Sequence, residues 1–202
     1  YACYETADEL SLKRKVQLSS GKPPVYDRSS LRLSDSEIAD LKSKGKKPHY
    51  RFLLDHSEVT WNDLVKGQGK YHMSSLSDPV ILREDGRVIY TLASVVDDID
   101  FEITHILRGE DHMTNSAAQI QLFEALGSIA PNLGHLSLLT DISGAGLSKR
   151  LGSLSLKDLR NEGIHPMAIS SLLSKVGTSD PVEIKKEIET IILYFDINKF
   201  GK

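Results

Sequence analysis

Arg108-Gly109-Glu110-Asp111-His112 places a guanidinium, two carboxylates and an imidazole directly behind an apolar run, Ile103 to Leu107. About thirty residues later, Leu147-Ser148-Lys149-Arg150 sets two adjacent cations just after the flexible Gly144-Ala145-Gly146. A strand ending in charged groups, followed downstream by a mobile basic loop, is what a nucleotide-using α/β enzyme needs at the carboxyl edge of its sheet. A guanidinium at a strand end is costly to bury unless it meets an anion, and its planar fork suits a carboxylate. Arg108 therefore reads either as a receptor for a substrate carboxylate or as half of an internal ion pair with Glu110, Asp111 or the Asp97-Asp98 pair. Lys149 could swing onto phosphate oxygens as charge builds on them. The glycine-lysine spacing there is wrong for a P-loop, which excludes that reading. His112 follows two carboxylates, but three consecutive residues do not present three ligands to one metal, so no metal site is expected. Tyr90, inside an apolar run, reads on its own as a core tyrosine with a satisfied hydroxyl.

These groups require a scaffold. The spacing predicts a helix over residues 5–18, closed by Ser19-Ser20-Gly21, and an extended connection at Lys22-Pro23-Pro24. A second short helix runs from Ser34 to Leu41, with Ser34 and Glu37 at capping-box spacing. From Tyr50 to Val80 the pattern is broken, with Gly67 and Gly69 as turns, as in a small mixed insertion with hairpins. Asp85-Gly86 is a hairpin-type turn. Val88 to Val96 reads as a buried strand, Phe101 to Leu107 as a second, Asn115 to Leu126 as a helix stopped by Gly127, and His135 to Leu139 as a third strand. Strand, helix and strand in about fifty residues form a βαβ unit, hence a parallel sheet. Helices follow at Lys157 to Glu162, at Met167 to Val176, and from Asp180-Pro181 onward.

The 202 residues suffice for one large domain or two small ones, and 40% hydrophobic with 26% charged residues is ordinary for a globular chain. No apolar run reaches membrane-spanning length, so no transmembrane segment or membrane partner is expected. The chain has no signal-peptide pattern and Tyr1 begins in mid-sequence, as in a fragment, while the sparse cysteine fits a reducing cytoplasm. The single cysteine, Cys3, excludes an internal disulfide and a multi-cysteine zinc site. The net charge of −3 hides an asymmetry: residues 1–51 carry +4 and the remainder −7. The basic part, with Lys42, Lys44, Lys46 and Lys47, is either a polyanion contact or a solvated lysine-rich loop.

Taken together, the strings resemble the glutamyl-tRNA synthetase family of class I aminoacyl-tRNA synthetases across nearly the whole chain. Tyr1-Ala2-Cys3-Tyr4 with Lys22 to Asp27 resembles the start of the family's inserted acceptor-stem domain. Tyr90 to Asp98 resembles the strand that holds the amino acid. Arg108 to His112, with Gln119 and Glu124 to Gly127, resembles the longest signature, and Gly146 to Arg150 takes the place of the KMSKS loop. The resemblance implies an α/β fold: a partial Rossmann-type parallel sheet, an inserted α+β acceptor-stem domain (1–84), the second half of the catalytic domain (85–143), and a helical stem-contact unit with the basic loop (144–202). It implies attachment of glutamate to tRNA through a glutamyl-adenylate. Tyr90, Ser94 and Arg108 would hold glutamate, His112 and Leu139 would border ATP, and Lys149 would stabilise the phosphates with Ser148 and Arg150 shaping the loop. The four lysines would meet the tRNA, and magnesium would arrive with ATP.

Three departures qualify the resemblance. The family's His-x-Gly-His string is absent, which places it upstream of Tyr1 and predicts an inactive fragment; the anticodon-binding domain is absent too. Gly146 replaces the first lysine of the loop motif. Cys3, Glu5 and serines stand where zinc-binding variants carry cysteines, so no zinc is expected. A monomer is expected. The acceptors implied are glutamate tRNA and, as an open alternative, glutamine tRNA. Two rivals are a shortened relative that glutamylates the modified base queuosine in tRNA and a non-catalytic tRNA-binding module.

Overall fold

The computed structural model describes residues 1–140, 144 and 155–201. The chain divides into two units, the first formed by Tyr1–Trp61, Gln68–Ile106 and Met113–Asn132, the second by Asn62–Gly67, Leu107–His112 and Leu133–Lys202.

In the first unit, β1 (Ala2–Cys3), β2 (His49–Arg51) and β5 (Val80–Leu82) form an antiparallel sheet with β2 central. Ala2 faces Tyr50 and Cys3 faces His49. Helix α1 (Ala7–Ser19) starts where Thr6 and Glu9 cap each other's backbone, and α2 (Asp35–Ser43) starts with the same reciprocal box between Ser34 and Glu37, as its spacing predicts. Strands β3 (Glu58–Asp63) and β4 (Gly67–His72) pair. Gly67 turns with φ 77°, but Gly69 is no turn: it lies within β4 beneath the Trp61 indole, where a Cβ would come within 2.4 Å of the ring. The glycine is there because an aromatic ring packs on its backbone. The Asp85-Gly86 turn forms, with Arg83 N–H donating to the Arg87 carbonyl at 2.9 Å.

Of the strand expected at Val88 to Val96, only Val88 bridges to Leu82; from Tyr90 the residues are helical instead, as α3 (Tyr90–Asp100). Leu92, Val95 and Ile99 share the face that packs with Leu122 and Phe123, and Val95 is wholly buried. Their three- and four-residue separations are a helical stripe, which the uniformly apolar run concealed. The expected strand from Phe101 is shorter for a related reason. Phe101 ends α3, Glu102 adopts φ 52°, and β6 spans only His105–Gly109. Helix α4 (Met113–Ala125) buries Ala117, Ala118, Leu122 and Phe123, and Gly127 turns out of it with φ 77°. A second cluster joins Ala117 and Ala118 to Leu54, Val59 and Met73, with Trp61 and Tyr71 packed on it.

Strand β7 (Asn132–Leu136) pairs with β6 across the α4 connection, so the strand-helix-strand unit forms three residues earlier than expected at its last strand. In the second unit, Ser155 and Asp158 cap α5 (Leu156–Asn161), and Pro166 opens α6 (Pro166–Leu173). The helix expected from Asp180 begins instead at Ile188, as α7 (Ile188–Tyr194). Asp180 is otherwise engaged, accepting from Lys175 at 2.8 Å and from Lys199 at 2.9 Å, so it does not cap a helix.

Candidate active site

Arg108 and Gly109 end β6, and Glu110–His112 form a single 3₁₀ turn that runs into α4. Half-buried Arg108 and His112 thus stand at the carboxyl end of a strand. Gly109 leaves no room for a side chain: a Cβ would lie 2.5 Å from Asp111 Oδ1 and 2.8 Å from Leu138 Cδ2. The Glu110 carboxylate accepts from Lys66 Nζ at 2.7 Å, and Lys66 also donates to Ser137 Oγ at 3.1 Å. The Lys66 ammonium, helped by the Leu138 backbone N–H, holds the Glu110 carboxyl below its usual range. Asp111 lies 4.0 Å from His112 Nε2. Leu139 follows on this segment, exposed.

Behind this turn lies a pair that the sequence reading missed. Asp63 and His135 are both wholly buried, and His135 Nδ1 is hydrogen-bonded to Asp63 Oδ2. The other carboxylate oxygen, Oδ1, accepts from the backbone N–H groups of Val65, Lys66 and His135, each at 3.0 Å. A carboxylate so placed requires the proton on Nδ1 and ties the 62–67 tip to β7. The legible signal was Asp63-Leu64-Val65-Lys66-Gly67, an aspartate turn with glycine at its end. Gly134 completes the packing, since a Cβ there would meet Leu107 at 2.6 Å and Leu64 at 3.3 Å.

In the first unit, Tyr90 and Ser94 share one face of α3 a turn apart. The Ser94 hydroxyl donates to the Tyr90 carbonyl at 2.8 Å and accepts from buried Gln119 at 2.7 Å, which fixes its direction. Tyr90 is 54% exposed, so it is not the core tyrosine that its run suggested. Lys42 lies in α2, and Lys44, Lys46 and Lys47 follow it. Lys44 pairs with Asp40 at 2.6 Å and Lys46 with Glu9 at 3.6 Å, while Lys42 and Lys47 have no ion pair among the described residues. Ser148, Lys149 and Arg150 lie outside the described residues.

Around Glu5, polar groups close on one another. Its carboxylate accepts from Tyr26 at 2.8 Å, Ser29 at 2.6 Å and Ser30 at 2.7 Å, and Tyr26 Oη reaches Cys3 Sγ at 3.7 Å. Burial alone would raise the Glu5 carboxyl, but the hydrogen bonds from Ser29, Ser30 and Tyr26 outweigh it and hold it at about 2. Zinc favours thiolate and imidazole donors. One thiol, one carboxylate and hydroxyls that already satisfy each other do not fit that ion. Among the described residues no group of three or more His, Cys, Asp or Glu could hold a metal, and no helix is long and apolar enough to cross a membrane.

The strand-helix-strand unit of β6, α4 and β7 is part of a class I synthetase catalytic-domain fold with a Rossmann-like parallel sheet. Residues 1–199 match the family described as tRNA synthetases class I (E and Q), catalytic domain, and the chain belongs to that family. It is 55% identical over 203 aligned positions to glutamate–tRNA ligase of Azospirillum brasilense, covering 100% of the chain and 46% of the relative. It is 54% identical to glutamate–tRNA ligase 1 of Maricaulis maris, again over 100% of the chain and 46% of the relative. Among solved structures, a glutamate tRNA ligase from Elizabethkingia meningosepticum in complex with its amino acid superposes with TM-score 0.82 at 27% identity, over 100% of this chain and 46% of that one. The chain therefore spans about half the length of the relatives it matches.

Proposed function

We propose that this chain is part of a glutamate–tRNA ligase. The observation that carries the reading is the family match over residues 1–199, with relatives of that name aligned along the entire chain. The queuosine-directed relative and the non-catalytic RNA module are less favoured, because the aligned relatives are named as ligases.

In this reading the glutamate α-carboxylate attacks the α-phosphorus of ATP, forming an acyl–phosphate bond and breaking the bond to pyrophosphate. A terminal hydroxyl of tRNA then attacks the carbonyl and releases AMP. No covalent enzyme intermediate is needed, so the protein contributes orientation and charge stabilisation. Arg108 would pair with the glutamate side-chain carboxylate, and Tyr90 with Ser94 would shape the amino-acid pocket. Gln119 supports this role for Ser94, because it fixes the hydroxyl direction. His112 and Leu139 would border the adenosine. Lys149, with Ser148 and Arg150, would neutralise the phosphates at the transition state, and magnesium would enter with ATP. Residues 1–84 would form the α+β insertion that grips the acceptor stem of glutamate tRNA through Lys42, Lys44, Lys46 and Lys47. Residues 85–143 would be the second half of the catalytic domain, and 144–202 the basic loop with a helical stem-contact unit. The ligase would work as a cytoplasmic monomer, with glutamine tRNA the open second acceptor.

The test is glutamate-dependent exchange of pyrophosphate into ATP by the ligase that carries this chain. Arg108→Ala and Lys149→Ala should each lower exchange by about a hundredfold or more. Unchanged rates in both variants would overturn the assignment.

A further inference from the structure

We propose that Lys66 is a positioning residue. By holding the Glu110 carboxylate and Ser137 together, it locks the Arg108–His112 string to the segment after β7. The inference rests on the ligase reading for its kinetic consequence and on geometry for its physical content.

Three stretches of chain meet at one ammonium. Lys66 Nζ is 2.7 Å from Glu110 Oε2 and 3.1 Å from Ser137 Oγ. The knot thus joins the tip at residues 62–67, the turn that carries His112, and the stretch leading to Leu139. Lysine is flexible, and a surface lysine that must find its partner contributes little. Lys66 differs because its backbone is anchored. Its own N–H donates to Asp63 Oδ1 at 3.0 Å, and Asp63 is bound to His135 with both side chains at 0% exposure. A buried carboxylate holding three backbone N–H groups and an imidazole sets where the Lys66 side chain starts.

Packing requires the same alignment. Gly109 gives Leu138 room to approach at a distance no side chain would tolerate, and Gly134 does so for Leu107 and Leu64. With those contacts closed, the Glu110 carboxylate is tied to Lys66 on a different chain segment. Removing Lys66 frees it. Arg108 and His112 flank Glu110 by two residues on each side, so a loosened Glu110 turn shifts both groups. Misplacement of reacting groups by about 1 Å can cost on the order of a hundredfold in rate without changing the fold.

The experiment uses the ligase with Lys66→Ala, Lys66→Arg, Glu110→Ala and the Lys66→Ala/Glu110→Ala double variant. Exchange kinetics should show kcat about tenfold lower in Lys66→Ala, with thermal midpoints close to wild type, and recovery to within about threefold in Lys66→Arg. The double variant should be no worse than the poorer single, because both act through one contact. Hydrogen exchange provides an arm independent of activity: amides of residues 107–112 and 137–139 should exchange about tenfold faster in Lys66→Ala. If the wild type exchanges pyrophosphate and Lys66→Ala matches it within about twofold, or the two single effects add, the positioning role falls while the ligase reading stands. Unchanged hydrogen exchange in Lys66→Ala also overturns it. If the wild type shows no glutamate-dependent exchange yet those amides loosen, the ligase reading falls and the knot stands.

Discussion

Arg28 grips Asp78 through two parallel hydrogen bonds, Nε to Oδ2 and Nη2 to Oδ1, both 2.8 Å. The Asp78 side chain is 1% exposed and accepts as well from the Tyr1 hydroxyl at 2.6 Å and the Leu54 N–H at 3.0 Å. Arg28 pays for this reach with backbone in the left-handed region, φ 55°. One carboxylate before β5 thus joins Tyr1, the loop after Pro24 and the backbone at Leu54. Removing one partner of such a pair leaves a buried charge uncompensated. Asp78→Ala is expected to destabilise the first unit by about 3–5 kcal/mol, and Asp78→Asn, which keeps some hydrogen bonds, by less. Urea unfolding followed by circular dichroism measures both; equal stability in Asp78→Ala would refute the clamp.

Glu5 predicts an acid limit. Its carboxyl sits at about 2 in the folded chain against an ordinary 4.5. A depressed folded value stabilises above the unfolded value, and that stability disappears as pH falls from about 4.5 toward about 2. With the side chain 15% exposed, the drop from 4.5 to about 2 corresponds to a contribution on the order of 3 kcal/mol. Glu5→Gln should flatten the stability profile over that window and match wild type less well at neutral pH. A Glu5→Gln profile parallel to wild type between those limits would show that the carboxylate contributes nothing.

If the proposed ligase grips tRNA through the four lysines, they should differ in their contribution to its affinity. Lys44 and Lys46 already meet carboxylates, whereas Lys42 and Lys47 have no ion pair among the described residues. Each phosphate contact adds close to one unit to the salt slope of binding. Lys47→Ala is expected to reduce the slope of log affinity against log salt by about 0.7–0.9, and Lys44→Ala by clearly less. Filter binding across a salt series reads this directly. Equal slopes in wild type and Lys47→Ala would remove that lysine from the tRNA contact.

Local signals carried furthest in the sequence. Ser34 with Glu37, Pro166 at a first helical turn and Gly127 after α4 act through neighbours three or four residues away, so short-range reading located them. The Arg108–His112 string was equally legible, since its residue types and its place behind an apolar run are properties of contiguous chain.

Tertiary structure decided what depends on distant partners. Val88 to Val96 is apolar enough for either a strand or a helix, and packing of Leu92, Val95 and Ile99 against Leu122 and Phe123 selected the helix. Asp180 has the spacing of a cap, yet Lys175 and Lys199 occupy it, and the helix starts at Ile188. Gly69 carries no mark that distinguishes a turn from a place beneath Trp61. Asp63 and His135 stand 72 residues apart and become a pair only when β7 is laid beside the 62–67 tip. Sequence alone therefore determined the chemistry available and the elements with local caps. The fold determined which charges meet, because burial and hydrogen bonding between remote segments are set by three-dimensional proximity.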